Sequence, residues 1–407
     1  MDFEETPEEQ AFRAEVREWL DARAKRRLPG TDPEHFYSSS DSSADADAAH
    51  VRACKAWQRT LHEAGWTGIT WPKEFGGRGG AGWQQRIFNE EQSRFDVAAG
   101  VFAVGIAMAG PTIIACGTDE QQERFLGPML SGDHVWCQLF SEPGAGSDLA
   151  GLRTRATPDG ESWIVNGQKV WTSGAHHSDW GLLLARTSLD APKHKGITAF
   201  LVDMRTPGIE VRPLRQINGM AHFNEVFLTD VAIPDACRLG PVNEGWRVAN
   251  TMLSNERAMI GGGGRVGWRD IVGLAQHLGV TADPVFRQEL ARSFTRLQLI
   301  KWLGWRARSR KDQGLGPEAS VLKLAASRRQ ELDGSLVIEL QGAAGMLYDR
   351  DAVASGYWQQ QFLMQWSSRI GGGTEQIQRN VIGERVLGLP REPRVDKDVA
   401  FRDLADA

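Results

Sequence analysis

Cysteine and tyrosine are scarce in this sequence, and the few cysteines lie too far apart to form a recognisable site. The 407 residues include four cysteines and three tyrosines. Cys54, Cys116, Cys137 and Cys237 form no CxxC pair and no Cys/His cluster. Neither a zinc site nor a disulfide framework is therefore indicated. We expect no metal, and a reducing cytoplasm is the simplest compartment.

Long apolar runs and a strong charge imbalance are also missing. No stretch approaches the roughly 18 uninterrupted apolar residues of a membrane span, and the acidic start MDFEETPEEQ is unlike a signal peptide. A formal net charge of −5 argues against a nucleic-acid partner. With 41% hydrophobic residues, the chain can bury a large core. We expect a soluble protein without nucleic-acid or membrane partners.

The periodicity of apolar residues divides the sequence into helical, β and helical parts. An amphipathic helical pattern covers residues 3–28, and helical patterns resume from about residue 50 to 130. The small, acidic stretch 38–47 between them is typical of a mobile surface loop. From about residue 134, short alternating runs separated by turn residues predict a β-domain of roughly one hundred residues. Beyond Gly245 helical patterns return, over Ala291–Arg310, Glu318–Leu340 and Gln376–Leu387.

Two stretches match the pattern GxGxxG, Gly77–Gly82 and Gly262–Gly267. Neither follows a predicted strand, and a dinucleotide-binding α/β protein would alternate strands and helices. We therefore do not interpret them as nucleotide-binding motifs.

The loop Ser141–Asp148, with the sequence SEPGAGSD, follows the strand-like run Val135–Phe140. Its glycines permit positive φ and a close backbone approach, so that N–H groups can reach an anion or a ring edge. Ser141 and Ser147 add hydroxyl groups. Taken alone, such a loop is more simply an ordinary tight turn.

Together with three further segments, this loop resembles the acyl-CoA dehydrogenase family. The other segments are NGQKVWTS at 166–173, FNEVF at 223–227 and IGGGTEQIQRN at 370–380, and all four stand in the family's order and spacing. The resemblance covers essentially the whole chain. It implies a mainly α fold with a central β-domain: a helical N-terminal domain (1–133), a middle β-barrel (134–240), a C-terminal four-helix bundle (241–390) and a tail (391–407).

The resemblance also implies ligands and partners. FAD is expected to extend across a subunit interface, and acyl-CoA is the expected substrate. An electron-transfer flavoprotein or a similar acceptor is expected to reoxidise the flavin. The chain is expected in a homo-oligomer, a dimer or tetramer, or in a hetero-oligomer with a related chain.

The residues expected to contact FAD follow from the same resemblance. Trp171 and Ser173 match positions against the isoalloxazine, although Trp171 is one of fifteen tryptophans and could instead belong to the core. The other matching positions are Phe140, Ser141, Gly146, Ser147, Thr374 and Gln376.

The catalytic base departs from the common family pattern. Many members carry a glutamate directly before the Gly-Thr pair of the C-terminal motif, where this chain has Gly372. A subset instead projects the glutamate from a helix of the C-terminal domain, beside an arginine, and Glu256 and Arg257 match that position. Glu256 is expected to remove the α-proton, Arg257 to orient it or the pantetheine arm, and the backbone N–H at Gly372 to polarise the thioester carbonyl. Outside this motif, a Glu-Arg pair is usually a solvated helical pair.

Other features leave alternatives open. The run Gly261–Gly264 either widens an acyl pocket for a bulky or branched substrate or breaks a helix. The segments 277–284 and 341–345 match the family's FAD-binding loops only approximately, so a partner chain could supply missing contacts. We interpret His176 and His177 as a polar turn rather than an acid–base pair. A flavin oxidase or monooxygenase, or a non-catalytic partner subunit, are alternatives to dehydrogenation to the trans-2-enoyl-CoA.

Overall fold

The computed structural model describes residues 5–26, 44–260, 267–308, 319–393 and 396–404. These residues form two compact units. The first unit holds the described residues up to Met252 together with 396–404, and the second holds those from Leu253 to residue 393.

The N-terminal part of the first unit is helical. Helix α1 begins at Pro7 because Thr6 caps it: the Thr6 hydroxyl accepts from the N–H of Glu9, and the Glu9 carboxylate accepts from the N–H of Thr6. The helix ends at Asp21, so it is shorter than the predicted span 3–28. The helices of this part are α1 (Pro7–Asp21), α2 (Ala44–Glu63), α3 (Gly82–Gln92), α4 (Gly110–Cys116) and α5 (Asp119–Ser131).

The start of α2 corrects the prediction of a loop over residues 38–47. Residues 44–47 form the first turn of the helix, while 38–43 lie outside the described residues. Asp45 and Asp47 lie in this turn, where the unpaired N–H groups favour negative charge. The acidic composition that indicated a loop is therefore also a helix-start signal.

The middle of the chain forms the predicted β-domain. Its sheet has the order β10-β7-β6-β4-β5-β9-β8, with β3 parallel to β6. A separate short ladder, formed by residues nearer the N-terminus, pairs β1 (Lys25–Arg26) with β2 (Phe95–Asp96). Buried side chains alternate along β5 and β9 and are continuous along β6 and β7. The strands are β3 (Trp136–Leu139), β4 (Arg155–Asp159), β5 (Ser162–Ser173), β6 (Trp180–Arg186), β7 (Ile197–Asp203), β8 (Ile209–Leu214), β9 (Phe223–Pro234) and β10 (Arg238–Leu239).

The second unit is helical. Its core joins side chains of four helices around Leu274, Leu290, Leu336 and Trp358. Among the described helices, none combines the length and apolar character that crossing a membrane requires. The helices are α6 (Gly245–Ile260), which belongs to this unit from Leu253 onward, α7 (Trp268–His277), α8 (Pro284–Arg308), α9 (Ala319–Glu339), α10 (Tyr357–Ile370) and α11 (Glu375–Val381).

Candidate functional site

The loop after β3 is held in place by a buried lysine. The Nζ atom of Lys169 donates to the carbonyl oxygen of Phe140 over 3.0 Å and to Oε1 of Glu142 over 2.7 Å. The same carboxylate accepts from the N–H groups of Arg153 and Thr154 over 2.6 and 2.9 Å. The loop Ser141–Asp148 is thus anchored at its first residues to β5 and to the segment before β4.

The pKa values of Lys169 and Glu142 are both lowered, for different reasons. Burial lowers the pKa of Lys169 to about 8 against the opposing pull of Glu142. Burial alone would raise the pKa of Glu142, but Lys169 and the two backbone donors outweigh it and lower that pKa. The pair is therefore ionised at neutral pH and forms a buried salt bridge.

Trp171 stands out of the sheet at a strained point of the backbone. Between Lys169 and Thr172, β5 contains one residue more than the facing part of β9, which makes a β-bulge. Trp171 has φ of 60°, a value that bulky residues rarely adopt. Its side chain is 61% exposed and contacts the Phe223 ring edge-on, with centroids 5.9 Å apart. Trp171 is therefore not the core residue of the alternative interpretation.

The remaining predicted flavin contacts of the first unit lie in or next to the anchored loop and at the end of β5. Phe140 is buried, and the carbonyl of Ser141 accepts from the N–H of Val170, next to Trp171. Gly146 and Ser147 lie exposed at the far end of the loop. Ser141 and the Trp171 segment are thus joined directly.

In the second unit, the glycines of the C-terminal motif form a tight turn with fixed carbonyls. Gly372 and Gly373 have φ of 64° and 87°. The carbonyl of Gly372 accepts from Nε2 of Gln378 over 2.9 Å, and that of Gly373 from Nζ of Lys323 over 2.8 Å. A trans peptide places its C=O and N–H on opposite edges. The N–H groups of Gly373 and Thr374 therefore point away from these two side chains.

Glu256 and this turn both interact with the ammonium group of Lys323. Burial lowers the pKa of Lys323, opposed by the carboxylates of Glu375 and Glu256. Glu375 in turn pairs with Arg369, with Nε and Oε1 3.1 Å apart. The structure thus brings Glu256 and the glycine turn, 116 positions apart at Gly372, around one buried ammonium group.

The other residues predicted for the site in the second unit are Thr374, Gln376 and Arg257, and the structure describes the side chains of the first two. The hydroxyl of Thr374 accepts from the N–H of Ile377 and caps α11, and Gln376 is exposed. The side chain of Arg257 and the run Gly261–Gly264 lie outside the described residues.

Comparison with known proteins identifies the family. Family models for the N-terminal, middle and C-terminal domains of acyl-CoA dehydrogenases match residues 6–133, 137–231 and 243–387. The chain belongs to the acyl-CoA dehydrogenase family. It is therefore a member of an oxidoreductase family, and that family is flavin-dependent.

Relatives of this acyl-CoA dehydrogenase match over nearly its whole length. It is 37% identical to acyl-CoA dehydrogenase IpdE1 of Mycobacterium tuberculosis, over 94% of this chain and 98% of the relative. Among solved structures, the Tcur3481-Tcur3483 steroid ACAD is similar with a TM-score of 0.83 and 30% identity, covering 96% of this chain and 100% of that one. The ChsE4-ChsE5 complex from Mycobacterium tuberculosis is similar with a TM-score of 0.78 and 28% identity, covering 96% and 100%.

The residues of this acyl-CoA dehydrogenase fit a flat cofactor in the first unit. A bulky side chain in a left-handed conformation is costly and persists where its surroundings hold it. Trp171 is held this way by the bulge, and its indole ring faces outward, where a planar ring system can stack. The fit rests on this ring and on the small residues of the adjoining loop.

Sequence reasoning missed the residues that hold these loops. Lys169 lies inside the NGQKVWTS segment, and its position on a buried strand, unusual for lysine, was an available signal. Glu142 lies in the loop that, taken alone, was interpreted as an ordinary tight turn. Lys323 and Gln378 carry no local signal, because their partners lie on other elements or on a turn.

Proposed function

We propose that the chain catalyses the FAD-dependent dehydrogenation of an acyl-CoA thioester to the trans-2-enoyl-CoA, with Glu256 as the base. The supporting observation is the attraction between Glu256 and Lys323, whose ammonium group also holds the carbonyl of Gly373. The base and the glycine turn thereby share one charge network.

The chemistry requires both parts of this network. The α-proton of a thioester is weakly acidic, so a donor must polarise the carbonyl while a base removes the proton. A backbone N–H at Gly372 or in the adjoining turn can serve as the donor, because it does not depend on a side chain at position 372. Attraction between opposite charges is mutual, and Lys323 therefore stabilises the carboxylate form of Glu256, which is the form a base needs.

Several residues bind the flavin in this proposal. Bound FAD supplies the acceptor for the hydride that leaves the β-carbon. Trp171 positions the ring system by stacking, and its strained backbone holds it ready for that contact. The other residues are Phe140, Ser141, Gly146, Ser147 and Ser173 of the first unit and Thr374 and Gln376 of the second.

The proposed substrate carries a bulky, ring-bearing acyl group. One of the similar solved structures is that of a steroid ACAD, and its chain is 30% identical over nearly the full length. The proposed assembly is a hetero-oligomer with a related chain, supported by the similar ChsE4-ChsE5 complex. The proposed acceptor of the electrons is an electron-transfer flavoprotein or a protein of that type.

Anaerobic titration of the purified chain tests the reaction and the substrate class together. Straight, branched and ring-bearing acyl-CoAs are added separately, and bleaching of the flavin absorbance is recorded. We expect a flavin-containing protein that is bleached by ring-bearing thioesters. Bleaching by short straight chains alone would contradict the substrate class but leave dehydrogenation standing.

Two other outcomes address the alternative functions. A chain that binds no FAD alone, and gains none with a co-expressed related chain, would contradict the cofactor proposal. Rapid reaction of the substrate-reduced enzyme with oxygen would favour a flavin oxidase or monooxygenase.

A further inference from the structure

Three side chains of the types that bind metal ions lie together next to the end of β5, the strand that carries Trp171 and Ser173. Asp47 is in the first turn of α2, and His176 and His177 are in the turn after β5. Oδ2 of Asp47 lies 2.9 Å from Nε2 of His176 and 3.7 Å from Nδ1 of His177. The two ring nitrogens are 3.2 Å apart. The donor atoms therefore form a small triangle, closed by a contact between residues 129 positions apart.

Hydrogen bonds around His176 fix which ring nitrogen carries its proton. Asn224 is fully buried, and its side-chain nitrogen donates to the carbonyl oxygens of Thr172 and His222 over 3.0 and 3.4 Å. Its oxygen therefore faces Nδ1 of His176, 3.2 Å away. An amide oxygen is an acceptor, so Nδ1 must donate. In the neutral ring, Nε2 then presents a lone pair to the carboxylate of Asp47.

Nε2 of His176 and Oδ2 of Asp47 lie 2.9 Å apart, a separation that a proton or a bound cation can bridge. A divalent metal ion uses all three donor atoms, whereas a proton joins only two of them. Zinc bonds to imidazole nitrogen and carboxylate oxygen are about 2.0–2.1 Å long, which places two ligand atoms of a tetrahedral site about 3.3–3.4 Å apart. The observed separations of 2.9, 3.2 and 3.7 Å bracket this spacing.

The surrounding structure orients both imidazoles. The buried Asn224 amide holds His176 through the nitrogen that would not bind the ion, which is the usual second contact of a zinc-bound histidine. Gly174 has φ of 65°, and a Cβ atom there would lie 2.6 Å from Nε2 of His177. A side chain at 174 would therefore displace the ring of His177, and the turn favours glycine for both reasons.

We propose that Asp47, His176 and His177 bind one divalent cation of the zinc class per chain. Two imidazoles and one carboxylate suit zinc and its neighbours better than magnesium or calcium, which prefer oxygen ligands. Three protein ligands leave a coordination position for water. The ion ties the first turn of α2 to the turn that follows Ser173, the end of the strand that carries Trp171.

The metal content of the purified enzyme tests this site without relying on turnover. The protein is stripped with a chelator, dialysed against buffered zinc, and analysed for zinc per chain by mass spectrometry. Wild type is expected to hold one zinc. Asp47→Asn and His177→Gln are each expected to bind zinc at least roughly tenfold more weakly. His277→Gln removes an exposed histidine elsewhere and is expected to bind as wild type does.

The same experiment contains the results that overturn the proposal. If a proton on His176 alone supplies the positive charge, wild type retains no zinc at a concentration that saturates other histidine-carboxylate sites. Equal binding by wild type and the Asp47→Asn/His177→Gln double variant would place the zinc elsewhere, for example on a cysteine. Circular dichroism of each variant shows that it has folded, so that lost binding is attributed to the lost ligand.

Discussion

Replacing Lys169 by methionine should expose how strongly the loop Ser141–Asp148 depends on one buried charge. The substitution keeps an unbranched side chain of similar length but removes the ammonium group. The side chain of Lys169 is 0% exposed and that of Glu142 is 8% exposed, so the pair has little contact with water. Phe140 simultaneously loses the donor to its carbonyl oxygen.

The expected loss of stability is about 3 kcal/mol. Breaking a buried ion pair by removing one partner costs about 3–5 kcal/mol, because the other charge stays buried. Glu142 keeps two backbone N–H donors, from Arg153 and Thr154, which favours the lower end of that range. Adding Glu142→Gln removes the unpaired charge, so the double variant should recover most of the loss.

Denaturant unfolding followed by circular dichroism measures these differences in the free energy of unfolding. Lys195→Met serves as the control, because Lys195 is exposed and its loss should change stability by no more than about 0.5 kcal/mol. FAD affinity is measured in parallel and should fall in Lys169→Met. A Lys169→Met protein within 1 kcal/mol or so of wild type, or a double variant no more stable than the single one, would refute the reasoning.

Three further perturbations follow from the structure. Trp171→Gly should be about 1 kcal/mol more stable to denaturant than Trp171→Ala, because glycine adopts the left-handed backbone at φ of 60° without strain. Both variants should bind FAD more weakly than wild type. Equal stability of the two variants would argue against backbone strain at position 171. Hydrogen bonds from Arg238 and Trp163 lower the pKa of Asp235 from 3.8 to about 2, so the stability that Asp235 contributes is present above pH 3.8 and is lost as the pH falls toward 2. The stability of Asp235→Asn should therefore fall less than that of wild type over this pH range, as measured by acid unfolding. An acid-unfolding profile identical to that of wild type would contradict this role of Asp235. Lys323→Met should move the acidic limb of the pH–rate profile for flavin reduction to higher pH, because it removes the positive charge that favours the carboxylate of Glu256. If the acidic limb stays at the wild-type pH and only the stability of the protein falls, Lys323 has a structural role.

The regular elements could be predicted because their patterns are local. Strands β5 and β9 lie within the predicted β-domain, because buried side chains alternate along stretches of each strand. Helix bounds were less accurate. Helix α8 begins at Pro284, seven positions before the predicted Ala291, because proline at the first turn starts a helix rather than interrupting it.

The parts of the site that depend on distant residues could not be predicted. The bulge at Trp171 arises from a one-residue mismatch between two strands, which neither strand shows alone. Lys169 and Glu142 are 27 positions apart, and Asp47 and His176 are 129 apart. Asp47 also lay in a stretch predicted to be a loop, so nothing in the sequence linked it to the two histidines. Charge pairing of this kind becomes visible when the fold brings the elements together.

The role of Glu256 is the central claim, and the rate of flavin reduction by a bleaching acyl-CoA under anaerobic conditions tests it most directly. Glu256→Gln should bind FAD and thioester as wild type does but reduce the flavin roughly 10²–10⁴-fold more slowly, the usual contribution of a general base. Glu339→Gln, an equivalent change at an exposed position of the second unit, should leave the rate unchanged. Flavin reduction by Glu256→Gln at the wild-type rate would contradict the account and require another base.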